Sequence, residues 1–302
     1  MICKAIYGLI ITVLFLACVD HPREFEETPA LQFNATIRLN SRSSETVTDV
    51  AYPIDTPFGI FAFALPNDQT WKKHTTKATL FLDNNKVTWH DGAFSTDSPC
   101  YWPSGKQLLT FFAYSPTTLK ATCNPEQGIE VNNYQLQDSV IDFMFTEPIA
   151  DLSAKHAGGT VNITFTHALC LVDFLIQTPV PQEVTLHLKR LSLDSVYQAG
   201  SFHSQPFPTW SGKGKPEEHV IFEGDLPLND LAQATGEPQW VIPQHVETKL
   251  KAVCDIISGK SILPNQQFET QAKLLWGTGK RCSYTLKLSL DTLTFTTEIL
   301  KK

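Results

Sequence analysis

Nine histidines are the first candidates for chemistry, and they stand singly: His21, His74, His90, His156, His167, His187, His203, His219 and His245. A metal site gathers several ligands on one face, as the spacing of H-E-x-x-H does, and no such spacing occurs here. His90 with Asp91, and His167 with Asp173, would each set a base beside a carboxylate. A general base needs its orienter within hydrogen-bond reach, and six residues across a strand join do not provide that. His167 therefore reads as a structural turn residue that bonds locally. G-x-S-x-G, the Walker loop and G-x-G-x-x-G are absent. The residues predict no catalytic centre, no metal and no cofactor.

Cysteine and tryptophan offer the remaining chemistry. Seven cysteines are present, at 3, 18, 100, 123, 170, 254 and 282. None forms a C-x-x-C pair, so a zinc site is not indicated. Cys170 lies in an apolar run and reads as a buried thiol. Cys100 with Cys123, and Cys254 with Cys282, are the pairings open to an oxidising compartment. Among six tryptophans, most lie in or beside apolar strands, where packing is the default role. Trp71 and Trp210 stand in polar loops. They are the candidates for contact with a ligand, as aromatic platforms for a sugar ring.

The first residues read as an export signal. Lys4 gives a basic start, Ala5 to Ala17 is apolar, and Cys18 comes next. That run has the length of a signal-peptide core and is short for a membrane span. Ala17-Cys18 resembles a lipobox, which makes residues 1–17 a signal peptide and Cys18 the site of lipid attachment. With more than one acyl chain the anchor is stable, at about 0.8 kcal/mol per buried methylene. A plain secretory leader is the competing reading. Residues 18–30 then form a polar tether. The formal net charge of −7 argues against a nucleic-acid partner, which calls for a basic face.

The elements that would position these groups are strands. Leu31, Phe33, Ala35, Ile37 and Leu39 alternate with polar residues, giving one half-buried strand. Pro57 to Phe63 is continuously apolar and predicts a strand buried on both faces. ATLFL and KVTWH flank Asp83-Asn84-Asn85 and predict a hairpin there. Leu108 to Ser115 and Ile141 to Phe145 are further strands. Pro148 and Gly158-Gly159 punctuate the chain. They predict a boundary between an N-terminal domain, 31–157, and a C-terminal domain, 158–302. The strand pair Val161–Phe165 and Ala168–Ile176 would open the second. Slipped alternation at Arg190-Leu191 predicts a bulge. Leu228–Gly236 is the best helical candidate. Many short strands with turns predict an all-β chain of two tandem β-sandwiches, antiparallel or nearly so.

Four stretches carry a family resemblance: PFGIFAF (57–63), YWPSGKQLLTFFAYSP (101–116), FTHAL (165–169) and WVIPQ (240–244). In this order, behind a lipoprotein leader, they resemble the fimbrillin-like proteins of the Bacteroidetes, subunits of type V pili. The resemblance implies sandwiches of transthyretin-like or Greek-key type and a surface-exposed, outer-membrane fimbrial lipoprotein rather than an enzyme. It implies that an Arg-directed protease removes the first strand. The matching strand is Leu31–Leu39, and Arg42 in the polar NSRSSE stretch is the cut; Arg38, inside the strand, is the poorer site. A strand of the next subunit, matching Thr292–Leu300, would fill the groove. The implied partners are other pilus subunits, the outer membrane through the lipid, and a receptor or glycan on a host or bacterial surface. The alternatives are a pilus anchor that does not polymerise and a surface glycan-binding lipoprotein.

Overall fold

The computed structural model of the protein describes residues 28–39, 48–136, 142–180 and 183–298. Its first ten strands are β1 (Gln32–Leu39), β2 (Thr48–Ala51), β3 (Phe58–Pro66), β4 (Thr79–His90), β5 (Ala93–Thr96), β6 (Gln107–Ser115), β7 (Ala121–Asn124), β8 (Gly128–Gln135), β9 (Met144–Phe145) and β10 (Ile149–Leu152). Next come β11 (Thr160–His167), β12 (Cys170–Gln177), β13 (Val184–Val196), β14 (Ala199–His203), β15 (Thr209–Ser211) and β16 (Glu217–Pro227). The last six are β17 (Gln233–Ala234), β18 (Gln239–Val241), β19 (His245–Ser258), β20 (Ser261–Leu275), β21 (Arg281–Leu288) and β22 (Leu293–Glu298). The helices among the described residues are single turns, α1 (Trp71–His74), a 3-10 turn at Thr75–Lys77, and α2 (Ala154–Ala157).

The largest sheet runs β10-β6-β3-β4-β5-β1-β11-β9, and β9 pairs back onto β6 through Tyr114↔Phe145 and Ser115↔Met144. The sheet therefore closes on itself, which leaves few open edges. Its interior holds Leu31, Phe33, Phe58, Ile60, Phe94, Phe111, Val161, Ile163 and Phe165. β3 is buried along nearly its whole length. Phe58, Ile60 and Ala62 face this interior, while Phe61, Phe63 and Leu65 face outward into a second core. A small sheet, β15-β14-β8-β7, covers that outer face with Ile129, Val131, Phe202 and Trp210.

The remaining two sheets are β17-β12-β21-β22, with β18 also on β12, and β16-β13-β19-β20. They share a third core, with Val172, Phe174, Tyr284 and Leu286 from one and Leu188, Leu191, Leu250 and Ala252 from the other. The chain is all-β and the sheets are mostly antiparallel. The exceptions are β1 beside β11 and β12 beside β21, both parallel.

Two local expectations change, and strand pairings cross the expected domain boundary. The predicted break at 157/158 does not coincide with a change of sheet. β11, expected to open the C-terminal domain, completes the first sheet beside β1, and β14 and β15 pair onto β8. The β1–β11 pairing joins residues more than a hundred apart, and punctuation by glycine and proline is blind to it. Asp83-Asn84-Asn85 is not a hairpin. β3 pairs with β4 on both sides of Asn84, from Thr79 to Val87, and the register moves from Ile60↔Asn85 to Ala62↔Leu82. Asn84, at φ 52°, sits in a bulge. The tight turn comes later, at Asp91-Gly92, with φ 47° and 92° between His90 and Ala93. Positive φ at both central residues is what a two-residue hairpin requires. Leu228–Gly236 contains no helix and contributes the short strand β17. The bulge near Arg190 is present, as register shifts on both sides of β13.

Candidate functional site: the first strand and its groove

β1 is the first described strand, yet it lies inside its sheet. One side pairs with β11 over Gln32↔Thr160 to Ile37↔Phe165. The other side pairs with β5 through Gln32↔Ser95 and Phe33↔Phe94, then with β2 through Thr36↔Ala51 to Leu39↔Thr48. Both rows of backbone groups are thus used. Ahead of the strand, the Leu31 amide donates to the Cys100 carbonyl at 2.8 Å, and the Trp102 amide donates to the Pro29 carbonyl at 3.0 Å.

Period-two alternation decides which side chains fill the interior. Leu31, Phe33 and Ala35 are buried and Ile37 is half-buried. The Phe33 ring meets Phe58 at 6.3 Å and Phe111 at 6.1 Å, both edge to face. That is the favoured aromatic geometry. On the outer face, the Asn34 amide donates to Asn162 Oδ1 at 3.3 Å, and the Thr36 and Thr164 hydroxyls lie 3.2 Å apart. Tyr52, just past β2, packs against Phe58, Phe94 and Phe165. Its hydroxyl lies 2.7 Å from Ser115 Oγ. Burial pushes this phenol up to about 12, against the opposing pull of the Ser115 bond. Without β1, the molecule would carry an apolar slot floored by aromatic rings, with an unpaired backbone row on each side.

The other expected site residues fare differently. Cys18 and Arg42 lie outside the described residues. Trp71 is not a platform: it is 7% exposed and packs against Phe63 and Phe112. Asp151 Oδ1 accepts from the Trp71 amide at 2.8 Å and holds the turn of α1 in place. Trp210 is 8% exposed, donates Nε1–H to the Ala168 carbonyl at 3.0 Å, and packs among Tyr134, Phe143 and Phe202. In each case a polar stretch of sequence folds its tryptophan inward. No sequence signal distinguishes that from an exposed ring.

His167 and Asp173 do not meet. His167 Nδ1 lies 2.7 Å from Asp142 Oδ1, and its ring stacks on Trp240 with centroids 5.0 Å apart. Asp173 instead faces Arg281 Nε at 3.4 Å. The bond to Asp142 spans 25 residues, so it is not local either. His90 lies against the Thr88 hydroxyl at 2.6 Å. Among the described residues, no group of three or more His, Cys, Asp or Glu is placed to hold a metal. Cys100, Cys123, Cys170, Cys254 and Cys282 are all free thiols, so neither pairing left open by the sequence is formed here. The sulfur facing Cys282 is that of Cys170, at 3.8 Å.

A family model described as fimbrillin-like matches residues 47–301. The chain belongs to the fimbrillin-like family. No curated protein matches it. Solved structures with a similar fold include a fimbrial protein from Bacteroides vulgatus, 16% identical, with a TM-score of 0.62 over 89% of this chain and 99% of that one. A candidate cell adhesion protein from Bacteroides uniformis is 17% identical, with a TM-score of 0.55 over 90% and 97%. At these identities the likeness is one of fold. The family and the fold together support a fimbrial-type subunit role for this fimbrillin-like chain.

Proposed function

We propose that the chain is a surface-exposed outer-membrane lipoprotein and a structural or tip subunit of a type V pilus, acting in adhesion rather than as an enzyme. In this reading lipid on Cys18 holds the subunit at the outer membrane. Cleavage after Arg42 frees β1, and a strand of the next subunit takes its place. The observation that carries the reading is the position of β1, an interior strand whose covalent link to β2 and the rest of the fold runs through residues 40–47 alone. The stretch that matches the family begins at residue 47, just past Arg42.

The chain also repeats the pattern of β1 at its far end. Leu31, Phe33, Ala35 and Ile37 have counterparts at the same spacing in Leu293, Phe295, Thr297 and Ile299. A strand with this pattern offers the groove an aliphatic residue, an aromatic, a small residue and a second aliphatic in the same order. Replacement of one strand by another restores both backbone ladders, the basis of recognition by strand addition. Trp71 and Trp210 are both buried, which favours this reading over the glycan-binding alternative built on them.

The test is to treat purified protein with an Arg-specific protease and follow its size on mild, unboiled gels. Cleaved protein should form ladders, alone or with natural fibre subunits. Phe295→Ala should suppress the ladder and leave cleavage unchanged. A chain cut after Arg42 that stays monomeric at high concentration, even with fibre subunits added, would overturn strand exchange. Release of a Cys18→Ser variant into soluble fractions tests the anchor separately.

A further inference from the structure

We propose that Cys170 and Cys282 are joined by a disulfide in the mature protein, a covalent tie between β12 and β21. The two sulfurs lie 3.8 Å apart inside the third core, with Cys170 0% and Cys282 5% exposed. They face each other because the strand starts are pinned together. The Leu171 amide donates to the Lys280 carbonyl at 2.9 Å, and the Gly279 amide donates to the Leu169 carbonyl at 3.1 Å. From there β12 and β21 run parallel, with Leu171 opposite Arg281 and Val172 opposite Cys282. Cys170 is two residues before Val172, so it points to the same face as Cys282. Closing the 3.8 Å to bonding distance, about 2.0 Å, takes side-chain rotation together with a shift of the strand starts, because Cys170 lies two positions out of register with Cys282.

The electronic setting favours reaction at Cys282. The Cys170 thiol donates to the Cys282 sulfur, and this lowers the Cys282 thiol to about 7, while the same bond together with burial pushes Cys170 up. A thiolate is the attacking species in disulfide exchange. The oxidant is a protein or small-molecule disulfide of an extracytoplasmic compartment. The Cys282 thiolate attacks one sulfur of that disulfide, forms a mixed disulfide and expels the first donor thiolate. The Cys170 thiol loses its proton to solvent, attacks the Cys282 sulfur and expels the second. Two thiols are oxidised and one disulfide is reduced to two thiols. The step takes place while the chain folds, once β12 and β21 have brought the two sulfurs into contact and before the rest of the core closes over them. Its setting rests on the proposed export of the chain, but its readout does not depend on fibre assembly.

The experiment directs the full chain to a bacterial periplasm behind a secretory leader. The purified monomer is then unfolded with excess alkylating agent and no reductant. Of the five cysteines beyond residue 18, Cys100, Cys123 and Cys254 should take the label, and Cys170 and Cys282 should not. The chain should be about 2 Da lighter than its reduced form, the mass of two hydrogens. Digestion should yield one peptide pair linking Cys170 to Cys282. A Cys282→Ala variant should expose Cys170 to the label, a readout made on unfolded chain and so independent of the variant's stability. Full labelling of Cys170 and Cys282 in the oxidised wild type, or linkage of either to another cysteine, would overturn the proposal. Neither result would bear on cleavage after Arg42, which is read by gel.

Discussion

Burial at His219 carries a pH signature. The side chain is 7% exposed, and its Nε2 has no hydrogen-bond partner among the described residues. Gln239 Oε1 and Trp276 Nε1 are likewise unsatisfied there. Desolvation lowers the His219 value, and the neighbouring Gln239 side chain partly offsets this. The unfolded chain, titrating at about 6.5, therefore binds a proton before the folded chain does. This contribution is complete above about 6.5 and is lost as pH falls toward the lowered folded value. Urea midpoints of the wild type should decline across that interval, and the decline should be shallower in His219→Phe. Equal slopes would show that the decline comes from other groups. Tyr52 makes a second test at this scale. Its hydroxyl bond to Ser115 is buried, so Tyr52→Phe should cost about 1–3 kcal/mol in equilibrium unfolding, the penalty for a buried hydroxyl left alone. At this scale the sequence was least legible. The burial of Trp71, the Asp142 partner of His167 and the Cys170–Cys282 contact all depend on chain segments far apart in sequence.

Strands were legible where one face is wet. β1 and β21 alternate cleanly, and their buried rows follow from period two. Continuous apolar sequence correctly marked β3 as buried on both faces. What the pattern could not separate was a turn from a bulge. Asp83-Asn84-Asn85 and Asp91-Gly92 both carry turn residues, and only the second has Gly at the position that needs φ 92°. The element with most at stake is β1. Phe33→Ala in the uncut chain should cost about 3–5 kcal/mol, because the ring is buried and its cavity cannot collapse against Phe58 and Phe111. Chemical unfolding checks this, and a loss under about 1 kcal/mol would mean that the groove closes over the gap. Gly59 in β3 is a second pressure point. A β-carbon there would overlap the Tyr114 ring, which lies across the glycine and donates to Asn84 Oδ1 at 2.7 Å. Gly59→Ala should destabilise by about 1–3 kcal/mol, measured the same way.

At the scale of the molecule, three cores are joined by strands that serve more than one of them. β3 and β6 supply both the first and the second, and β14 and β15 reach back from the C-terminal half to cover the second. Unfolding of the intact chain should therefore be one calorimetric transition. Two separated transitions, dividing near residue 158, would show that the halves fold alone. Composition and turn spacing revealed the class of fold but not this sharing, because neither reports which distant strands pair. The passage from β11 to β12 has a mechanical consequence. β11 ends at His167 beside the groove, and β12 begins at Cys170. β12 holds β21 over seven register pairs, from Leu171↔Arg281 to Gln177↔Lys287, and β21 leads directly into β22. In a fibre of the proposed kind, tension would enter through the groove, pass along β11 into the head of β12, and leave through the tail of β21. Parallel strands pulled at opposite ends are loaded in shear, so in the reduced chain the hydrogen bonds between them share the force instead of opening one by one, and in the oxidised chain the proposed Cys170–Cys282 bond carries it. The long excursion from β13 to β20 would hang beside this line, slack while the fibre is under strain.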